Sequence, residues 1–494
     1  MTTDDSTDAS DDAPTTSTPA DAADEQFRPA DRYEVDHLVP EAKAASDGAR
    51  VRMAGRVMLF RKMGGIAFGQ LQDRSGERIQ FSLRKNELGA DVFKAWAASI
   101  AMGDFVGIDG AMWTTDKGEH TVGVDALTVL NKAVRPMPDK WAGVHDTDLR
   151  YRKRYLDLLA NDDSRARFLT RSRTISHIRR YLDDLDFVEV ETPILQAAAA
   201  GAAAKPFSTH HNALDRDFYL RISPETYLKR AVAGGLDRVY EIGRNFRNEG
   251  IDSSHLQEFT MLEWYAAYWD YRDNMRVVRE LIQSTLEAVT GSRTVTIDGV
   301  DLDFDGDWPE LDFRTEVAER TGIDLRALRE VDALRDAVKA AGLLSDDEAA
   351  SQVSYAGLVD LLYKRTVRPH LIQPCFIVHQ PTELVPLARR NDDDPSVLDM
   401  FQVVVNTWEI VKAYSELVDP VDQRARLEEQ VALRAQGDED TMMLEEDFLE
   451  CMEHGMPPMS GLGLGIDRFV ALLTGAPTLR DVVLFPTLRE APGS

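Results

Sequence analysis

The sequence predicts an α+β protein that contains a small five-stranded β-barrel and a larger domain in which helices flank an antiparallel sheet. Its 494 residues are enough for two or three domains with a large core. Residues 50–131 read as short strands separated by turn signals such as "DRSGE" and "TDKGE". Beyond them, apolar runs separated by long helical segments favour α+β over an alternating βαβ arrangement.

The N-terminal segment and the cysteines indicate where the protein resides. Residues 1–32 are predicted to form a disordered tail, because residues 1–26 hold eight acidic residues and no basic ones. This segment has neither the basic region nor the apolar core of a secretory signal, and we find no apolar run long enough for a membrane span. Cys375 and Cys451 lack metal-like spacing, which fits a reducing cytoplasm.

The first folded domain, predicted at residues 33–134, has the pattern of an oligonucleotide-binding (OB) barrel. Five strand-like runs are interrupted by one helical run, "ADVFKAWAAS", between the third and the fourth. Residues 50–85 carry a local charge of +7 in a chain whose net charge is −28, which is typical of a nucleic-acid-binding module. Phe68, Gln80 and Glu119 fall on the strand face or an adjoining loop. There the ring can stack on a base and the polar pair can read its edge, although core packing is the alternative for Phe68.

The larger domain is predicted at residues 166–494, after a hinge at 135–165 that two prolines begin. It opens with apolar residues at helical spacing, followed by the alternating run "FVEVETPIL", which ends near Pro193. A long helix followed by such a strand suits a dimer interface, and a plain helix–strand unit is the alternative. The Asp/Arg-rich amphipathic stretch at about 295–370 is predicted to be an insertion.

The stretch "NFRNEGIDSSHLQEFTMLEW" at residues 245–264 places many ionisable groups in an apolar, strand-like run, so we expect it to bind something polar and anionic. "FRNEG" and "EFTMLEW", the "TP" of "EVETPIL" and the later "GLGLGIDR" together resemble the three signature motifs of the class II aminoacyl-tRNA synthetases. "RYRKRYLDLL", "YSELVDP" and "RDVVLFPTLR" are similar to the lysine-specific branch of that family. The resemblance covers roughly residues 48–490.

This resemblance implies a class II synthetase catalytic domain behind an OB-fold anticodon-binding domain. The implied enzyme is a cytoplasmic homodimer, joined around Pro193, that activates L-lysine with ATP and transfers it to the 3′ end of tRNA(Lys). ATP is a substrate, and Mg²⁺, as more than one ion, is the implied cofactor. Phe68, Gln80 and Glu119 would then recognise the uridine-rich anticodon.

The implied ATP site centres on two arginines with catalytic roles. The lysine carboxylate and the α-phosphate of ATP are both anions, so the site must neutralise charge while it aligns them. The planar donor fork of Arg247 suits both groups, and Arg468 would stack on adenine and meet the γ-phosphate. The full ATP-binding set is Arg247, Glu249, His255, Phe259, Glu409 and Arg468.

The implied lysine site is acidic, because burying an ammonium group requires carboxylates nearby. Glu263 and Glu416 would flank the ε-ammonium, while Glu225 would hold the α-amino group. The full lysine-binding set is Gly201, Glu225, Glu263, Tyr265, Lys412, Tyr414 and Glu416.

Two positions depart from the family pattern. In the family, a pair of acidic residues holds magnesium. Glu409 matches one of these two positions, whereas Gln402 occupies the other. Glu416 is a further, weak candidate for a magnesium ligand. A neutral amide oxygen makes that metal site weaker or absent. Lys412 stands at a position where the family commonly has an asparagine.

The open alternatives are an aspartyl- or asparaginyl-specific sibling, a paralogue with another amino acid or acceptor, and a non-catalytic RNA-binding relative. Glu263 and Glu416 argue against an acidic substrate.

Overall fold

The computed structural model describes residues 29–490 except for short gaps. The gaps are residues 31, 136, 138–143, 199–200, 203, 251, 253–254 and 439–440. Most of the predicted tail at 1–32 and part of the predicted hinge at 135–165 therefore lie outside the described residues. The chain divides into two compact units, Met1–His145 and Asp146–Ser494, and the point of division falls inside that hinge.

Five strands of the first unit close into a barrel in the order β1-β2-β3-β5-β4, which confirms the predicted five-stranded barrel. The strands are β1 (Arg50–Met63), β2 (Ile66–Gln72), β3 (Arg78–Arg84), β4 (Phe105–Thr114) and β5 (His120–Asn131). The helices described in this unit are α1 (Val39–Ala44), α2 (Lys85–Leu88) and α3 (Ala90–Ser99). Helix α3 coincides with the predicted helical run between the third and fourth strands.

Alternation of inward and outward side chains explains why this stretch closes on itself. Along β2, every second residue is buried and the residues between are half-exposed. Phe81 on β3 fills the interior, and Gly69 on β2 leaves room for it, because any side chain at Gly69 would clash with the Phe81 ring. The outward residues of β2 are therefore half-exposed, and so are those of β3 except Ser82, which is buried.

The second unit contains a large sheet, a three-stranded sheet and a two-stranded sheet. Its strands are β6 (Val188–Glu189), β7 (Leu195–Gln196), β8 (Ser208–His211), β9 (Arg216–Leu220), β10 (Arg238–Phe246), β11 (Glu258–Ala267), β12 (Thr294–Ile297), β13 (Val300–Asp303), β14 (Glu310–Asp312), β15 (Cys375–Val378), β16 (Met400–Val405), β17 (Trp408–Ser415) and β18 (Met459–Gly465). Its helices are α4 (Thr147–Arg152), α5 (Arg154–Ala160), α6 (Asp162–Asp183), α7 (Glu225–Ala233), α8 (Tyr271–Thr290), α9 (Phe313–Thr321), α10 (Val331–Ala340), α11 (Asp346–Ser351), α12 (Tyr355–Thr366), α13 (Pro420–Ala435), α14 (Glu446–Glu453) and α15 (Ile466–Thr474). Short 3-10 turns occupy Arg368–His370, Thr382–Leu384 and Leu479–Val482.

The large sheet has eight strands in the order β14-β15-β16-β17-β18-β11-β10-β6. Its inner pairs are antiparallel and only its two outermost pairs are parallel, which confirms the predicted α+β class. Helices α6, α8 and α15 cover one face, where they form the main core with Leu262 and Trp264 of β11. Because side chains alternate along a strand, Glu263 and Tyr265 point to the opposite face.

The strand predicted from "FVEVETPIL" is shorter than expected. Only β6 and β7, of two residues each, form there. Pro193 has no N–H to donate, and the N–H of Thr192 donates to the carboxylate of Glu241 at 3.2 Å. These two residues therefore cannot donate to a neighbouring strand, and the run breaks between β6 and β7.

The stretch predicted to be an insertion, residues 295–370, contains helices α9 to α12. These helices pack around a hydrophobic cluster of their own, which includes Leu334 and Leu358 and reaches Ile377 on strand β15. Within the described part of the chain, none of the helices combines the length and the apolar character that a membrane span requires.

Candidate active site

A cavity of about 330 Å³ lies on the face of the large sheet opposite the main core. Its size is within the range of small-molecule binding sites. Strands β11, β17 and β18, the segment that connects β10 to β11 and the N-terminus of α7 supply most of its wall. The predicted residues that line it are Gly201, Glu225, Arg247, Glu249, His255, Phe259, Glu263, Tyr265, Glu409, Lys412, Tyr414 and Arg468. The structure thus brings both predicted substrate sites into one cavity.

Arg247 follows the end of β10, where this strand and β11 form an antiparallel hairpin. Its N–H donates to the carbonyl of Gln257 at 2.9 Å, which fixes the chain across the hairpin. Its guanidinium carbon lies 5.1 Å from the centre of the Phe259 ring, at cation–π distance. Within the described residues its buried Nε has no hydrogen-bond partner. Arg247 therefore presents an unused donor in the cavity.

Arg468 enters the cavity from the first turn of α15, directly after the glycine run of β18. Its Nη1 donates to the carbonyl of Glu409 at 2.8 Å. Burial lowers the pKa of its guanidinium, although arginine remains charged at neutral pH. Gly463 and Gly465 line the cavity without side chains. A second positive charge therefore lines the cavity, near enough to Arg247 for the two guanidinium groups to repel each other.

Two further predicted residues lie on the loop that connects β10 to β11. The N–H of Glu249 donates to the carbonyl of Arg247 at 2.9 Å. Nδ1 of His255 lies 2.9 Å from Oδ2 of Asp252, and the imidazole is about half exposed. Both side chains line the open part of the cavity, so they can reach a ligand that extends towards solvent.

Glu263 forms the acidic end of the cavity. Both of its oxygens accept from the hydroxyl of Ser223, at 3.0 and 3.2 Å, and the hydroxyl of Tyr265 lies 3.5 Å from one of them. Burial, with a smaller contribution from the nearby Glu225 carboxylate, raises the pKa of Glu263 to about 8. A buried carboxyl of this kind ionises readily when a cation arrives beside it.

Glu225 and Glu416 share a lysine that the sequence did not single out. Nζ of Lys229 lies 2.6 Å from Oε1 of Glu225 and 2.5 Å from Oε2 of Glu416. The hydroxyl of Tyr414 also donates to Oε1 of Glu225, at 2.6 Å. Burial raises the pKa of Glu416, and the Lys229 ammonium opposes that rise. Glu416 does not itself line the cavity, but its Oε1 lies next to Gly461, a cavity residue that has no side chain.

Glu409 and Gln402 form the region where a magnesium ion is predicted. The amide of Gln402 donates to Oε2 of Glu409 at 2.7 Å, and its buried Oε1 lacks a partner among the described residues. The described residues contain no cluster of three or more acidic, histidine or cysteine side chains that would hold a metal by itself. One carboxylate and one amide oxygen fit an ion that takes its other ligands from phosphates and water.

The predicted RNA-binding residues lie on the outward surface of the barrel. Phe68 on β2 is half-buried and pairs with Ser82 on β3, outside the hydrophobic interior. Gln80 lies on β3, where its side chain accepts from the hydroxyl of Thr121 at 2.8 Å. Glu119 is exposed in the turn before β5. The three side chains therefore belong to adjacent elements of one face, and Phe68 does not belong to the hydrophobic cluster of the barrel interior.

Sequence reasoning missed three residues around the acidic end of the cavity, namely Ser223, Lys229 and Gly461. A side chain at Gly461 would clash with the Tyr265 ring and crowd Glu416, so glycine keeps this corner open. For Lys229, the sequence carried a usable signal. It stands four residues after Glu225 on the same helix, the spacing at which a lysine and a glutamate meet.

Comparison with known proteins gives matches over most of the chain. The family described as "tRNA synthetases class II (D, K and N)" matches residues 146–489, and the "OB-fold nucleic acid binding domain" matches residues 51–130. The lysine–tRNA ligase of Chloroflexus aurantiacus is 45% identical over 92% of this chain and 93% of its own. Those of Staphylococcus aureus MRSA252 and Synechococcus sp. CC9311 are 42% and 44% identical, over 93% of this chain and 91% and 92% of their own lengths.

The chain therefore belongs to the class II tRNA synthetases of the D, K and N type, joined to an OB-fold nucleic acid binding domain. The eight-stranded, mainly antiparallel sheet and the two arginines in its cavity agree with this class. Within the class, identity of 42–45% over more than nine-tenths of the chain places it in the lysine–tRNA ligase family, a family of aminoacyl-tRNA ligases.

Proposed function

We propose that the protein activates L-lysine with ATP, forming lysyl-adenylate and pyrophosphate, and then transfers the lysyl group to the 3′ end of tRNA(Lys). The observation that carries this proposal is the polarity of the cavity, with Arg247 and Arg468 at one end and buried glutamates at the other. The arginine end suits the anionic triphosphate and carboxylate, and the glutamate end suits an aliphatic ammonium.

The chemistry of activation requires positioning rather than proton removal. The attacking carboxylate of lysine is already ionised at neutral pH, so no general base is needed. Arg247 bridges this carboxylate and the α-phosphate and offsets their repulsion, while Phe259 and Arg468 hold the nucleotide between them. Lys412, on the cavity wall, adds a positive charge next to the substrate carboxylate.

The principal alternative is a ligase specific for aspartate or asparagine, since the description of the matched family also includes these two amino acids. An acidic substrate would place a second carboxylate beside Glu263 and Glu416, which is unfavourable in a buried site. We test the proposal by screening the twenty amino acids for exchange of pyrophosphate into ATP without tRNA. Exchange with lysine alone supports it, and exchange with another amino acid, or with none, overturns it.

The magnesium requirement should respond to Gln402. We infer that Glu409 and the amide oxygen of Gln402 hold one ion, which when bound neutralises charge on the phosphates. Gln402→Glu replaces a neutral ligand by a charged one, so the Mg²⁺ concentration for half-maximal exchange should fall by about tenfold. The variant Gln402→Leu, which removes both amide atoms, should require more Mg²⁺. An unchanged requirement in both variants would remove Gln402 from the metal site.

The barrel is proposed to bind the anticodon of tRNA(Lys) through its outward face. Phe68→Ala should raise the KM for tRNA by about 5- to 100-fold, because stacking on an aromatic ring stabilises a bound base by about 1–3 kcal/mol. Exchange of pyrophosphate into ATP without tRNA should not change. Phe105→Ala, which alters an exposed aromatic on another strand of the barrel, is the control. An equal effect of the two substitutions would contradict the assignment.

We further propose a cytoplasmic homodimer. Val188, Ile194 and Leu195, on either side of Pro193, are 43–49% exposed, and β6 forms an edge of the large sheet. Exposed apolar residues beside an unpaired strand edge favour contact with a second chain. Cys375 and Cys451 are free thiols, in keeping with a reducing compartment.

A further inference from the structure

Lys229 is a fully buried cation at the acidic end of the cavity. Its ammonium lies between Glu225 and Glu416, at 2.6 and 2.5 Å. The rings of Tyr265, Tyr414 and Phe448 surround it, with centroids 5.9, 5.8 and 5.6 Å from Nζ. These contacts keep the lysine charged, since two carboxylates and three aromatic faces stabilise an ammonium group that water cannot reach.

Each of the two carboxylates uses a single oxygen for this contact. Glu225 binds Lys229 through Oε1, and Glu416 binds it through Oε2. Oε1 of Glu416 has no hydrogen-bond donor among the described residues, and it lies where a side chain on Gly461 would begin. Because Gly461 lines the cavity, this oxygen is the part of Glu416 nearest to a ligand.

The charges at this end of the cavity balance those of a free lysine only when Lys229 is counted. Glu225, Glu263 and Glu416 carry three negative charges when ionised, and Lys229 reduces the total to two. A bound lysine brings two ammonium groups, while its carboxylate lies at the arginine end under the proposed function. Without Lys229, one buried carboxylate would have no positive partner, which is strongly unfavourable in a site that excludes water.

We propose that Lys229 is a positioning residue for the amino acid substrate: it holds Glu225 and Glu416 so that the second oxygen of each faces the cavity and receives one of the two amino groups of lysine. This inference rests on the proposed function and adds a specificity-determining residue to it. Lys229 does not touch the substrate. It acts through the two carboxylates that do.

A purely structural role for Lys229 is the alternative, because α7 also packs on the sheet through Leu228 and Val232. A structural role predicts loss of stability and a general loss of rate. A positioning role predicts a separation of kinetic constants, with a higher KM for lysine and little change in the KM for ATP. The two roles are therefore distinguished by kinetics rather than by activity alone.

The test uses three variants of the full-length protein. Lys229→Met and Lys229→Gln remove the charge, and Lys229→Arg keeps it. In pyrophosphate exchange, the neutral variants should raise the KM for lysine by about 30-fold or more, the range expected when one partner of a buried charge pair is removed. Their KM for ATP should stay within about twofold, and Lys229→Arg should recover most of the lysine affinity.

Each other outcome overturns the proposal. An unchanged KM for lysine in the neutral variants, or equal increases for lysine and ATP, would exclude positioning. If the neutral variants fail to fold while Lys229→Arg folds with normal kinetics, or if none of the three folds, the residue is structural. Wild-type protein that activates no lysine would instead overturn the proposed function itself, and this control is measured first.

Discussion

Replacing Arg247 by alanine is expected to lower lysine-dependent exchange of pyrophosphate into ATP by at least about 100-fold, the effect of removing a preorganised donor to developing charge. The side chain is held by the hairpin of β10 and β11 and by its contact with Phe259, so it need not reorganise when the two anions meet. Alanine would leave the lysine carboxylate and the α-phosphate to repel each other in a partly desolvated cavity.

The matched control for this prediction is Arg244→Ala. Arg244 lies on β10, three residues before Arg247, is 41% exposed and pairs with Glu258 at 3.6 Å, and it does not line the cavity. An exposed pair of this kind contributes little, so exchange should remain within about twofold of wild type. Initial rates at saturating lysine and ATP measure both variants. Near-normal exchange by Arg247→Ala would remove this arginine from the mechanism.

The barrel could be predicted from the sequence because its signal is local. The run Arg50–Met63 opens the stretch that was predicted to form strands, and it forms one strand, since alternation along a strand depends only on the next few residues. The same reasoning failed at "FVEVETPIL", where the alternation is present but Thr192 donates to Glu241, a residue far along the chain. The local pattern indicates which face of a sheet a residue prefers. It does not show which distant side chain forms a hydrogen bond with the backbone of that residue.

The residues of the candidate site likewise differ in how far the sequence alone could predict them. Its arginines lie in contiguous motifs and could be proposed from the sequence. The acidic end could be only partly proposed, because its contacts join distant segments. The hydroxyl of Tyr414 donates a hydrogen bond to Glu225, which is 189 residues away in the sequence. The carboxyl of Glu263 accepts a hydrogen bond from the hydroxyl of Ser223, which lies on another segment. The spacing of Lys229 from Glu225 could be read from the sequence, but its contact with Glu416, on a distant segment, could not.

Glu263→Gln is expected to raise the KM for lysine by about 30-fold or more at pH 8. The substitution keeps the shape of the side chain, and an amide oxygen can still accept from Ser223 and Tyr265. It removes the negative charge that an ammonium group needs in a buried site, where a neutral partner compensates poorly. The KM for ATP should remain within about twofold of wild type, because Glu263 is not among the residues proposed to hold the nucleotide.

The pH dependence of lysine binding provides a second, independent readout of the same substitution. The pKa of Glu263 in the free site is raised to about 8, so below that pH the carboxyl is mostly protonated and must lose its proton when lysine binds. The KM for lysine should therefore fall as the pH rises from 6 to 8, and this slope should be smaller in Glu263→Gln. Glu258→Gln, at a 49% exposed position on the same strand, is the control.

The raised pKa also has a consequence for stability. The unfolded chain releases this proton near pH 4.5, whereas the folded chain retains it up to about pH 8, so the free energy of unfolding of the free protein declines as the pH rises between these values. Glu263→Gln removes that decline, and the variant should be at least as stable as wild type at pH 8 in urea unfolding. In the lysine-free protein, the buried glutamate lowers the free energy of unfolding at pH 8, and a glutamine at this position does not. A Glu263→Gln variant that binds lysine normally would therefore contradict the assignment. So would a variant that loses stability at pH 8 and not at pH 5.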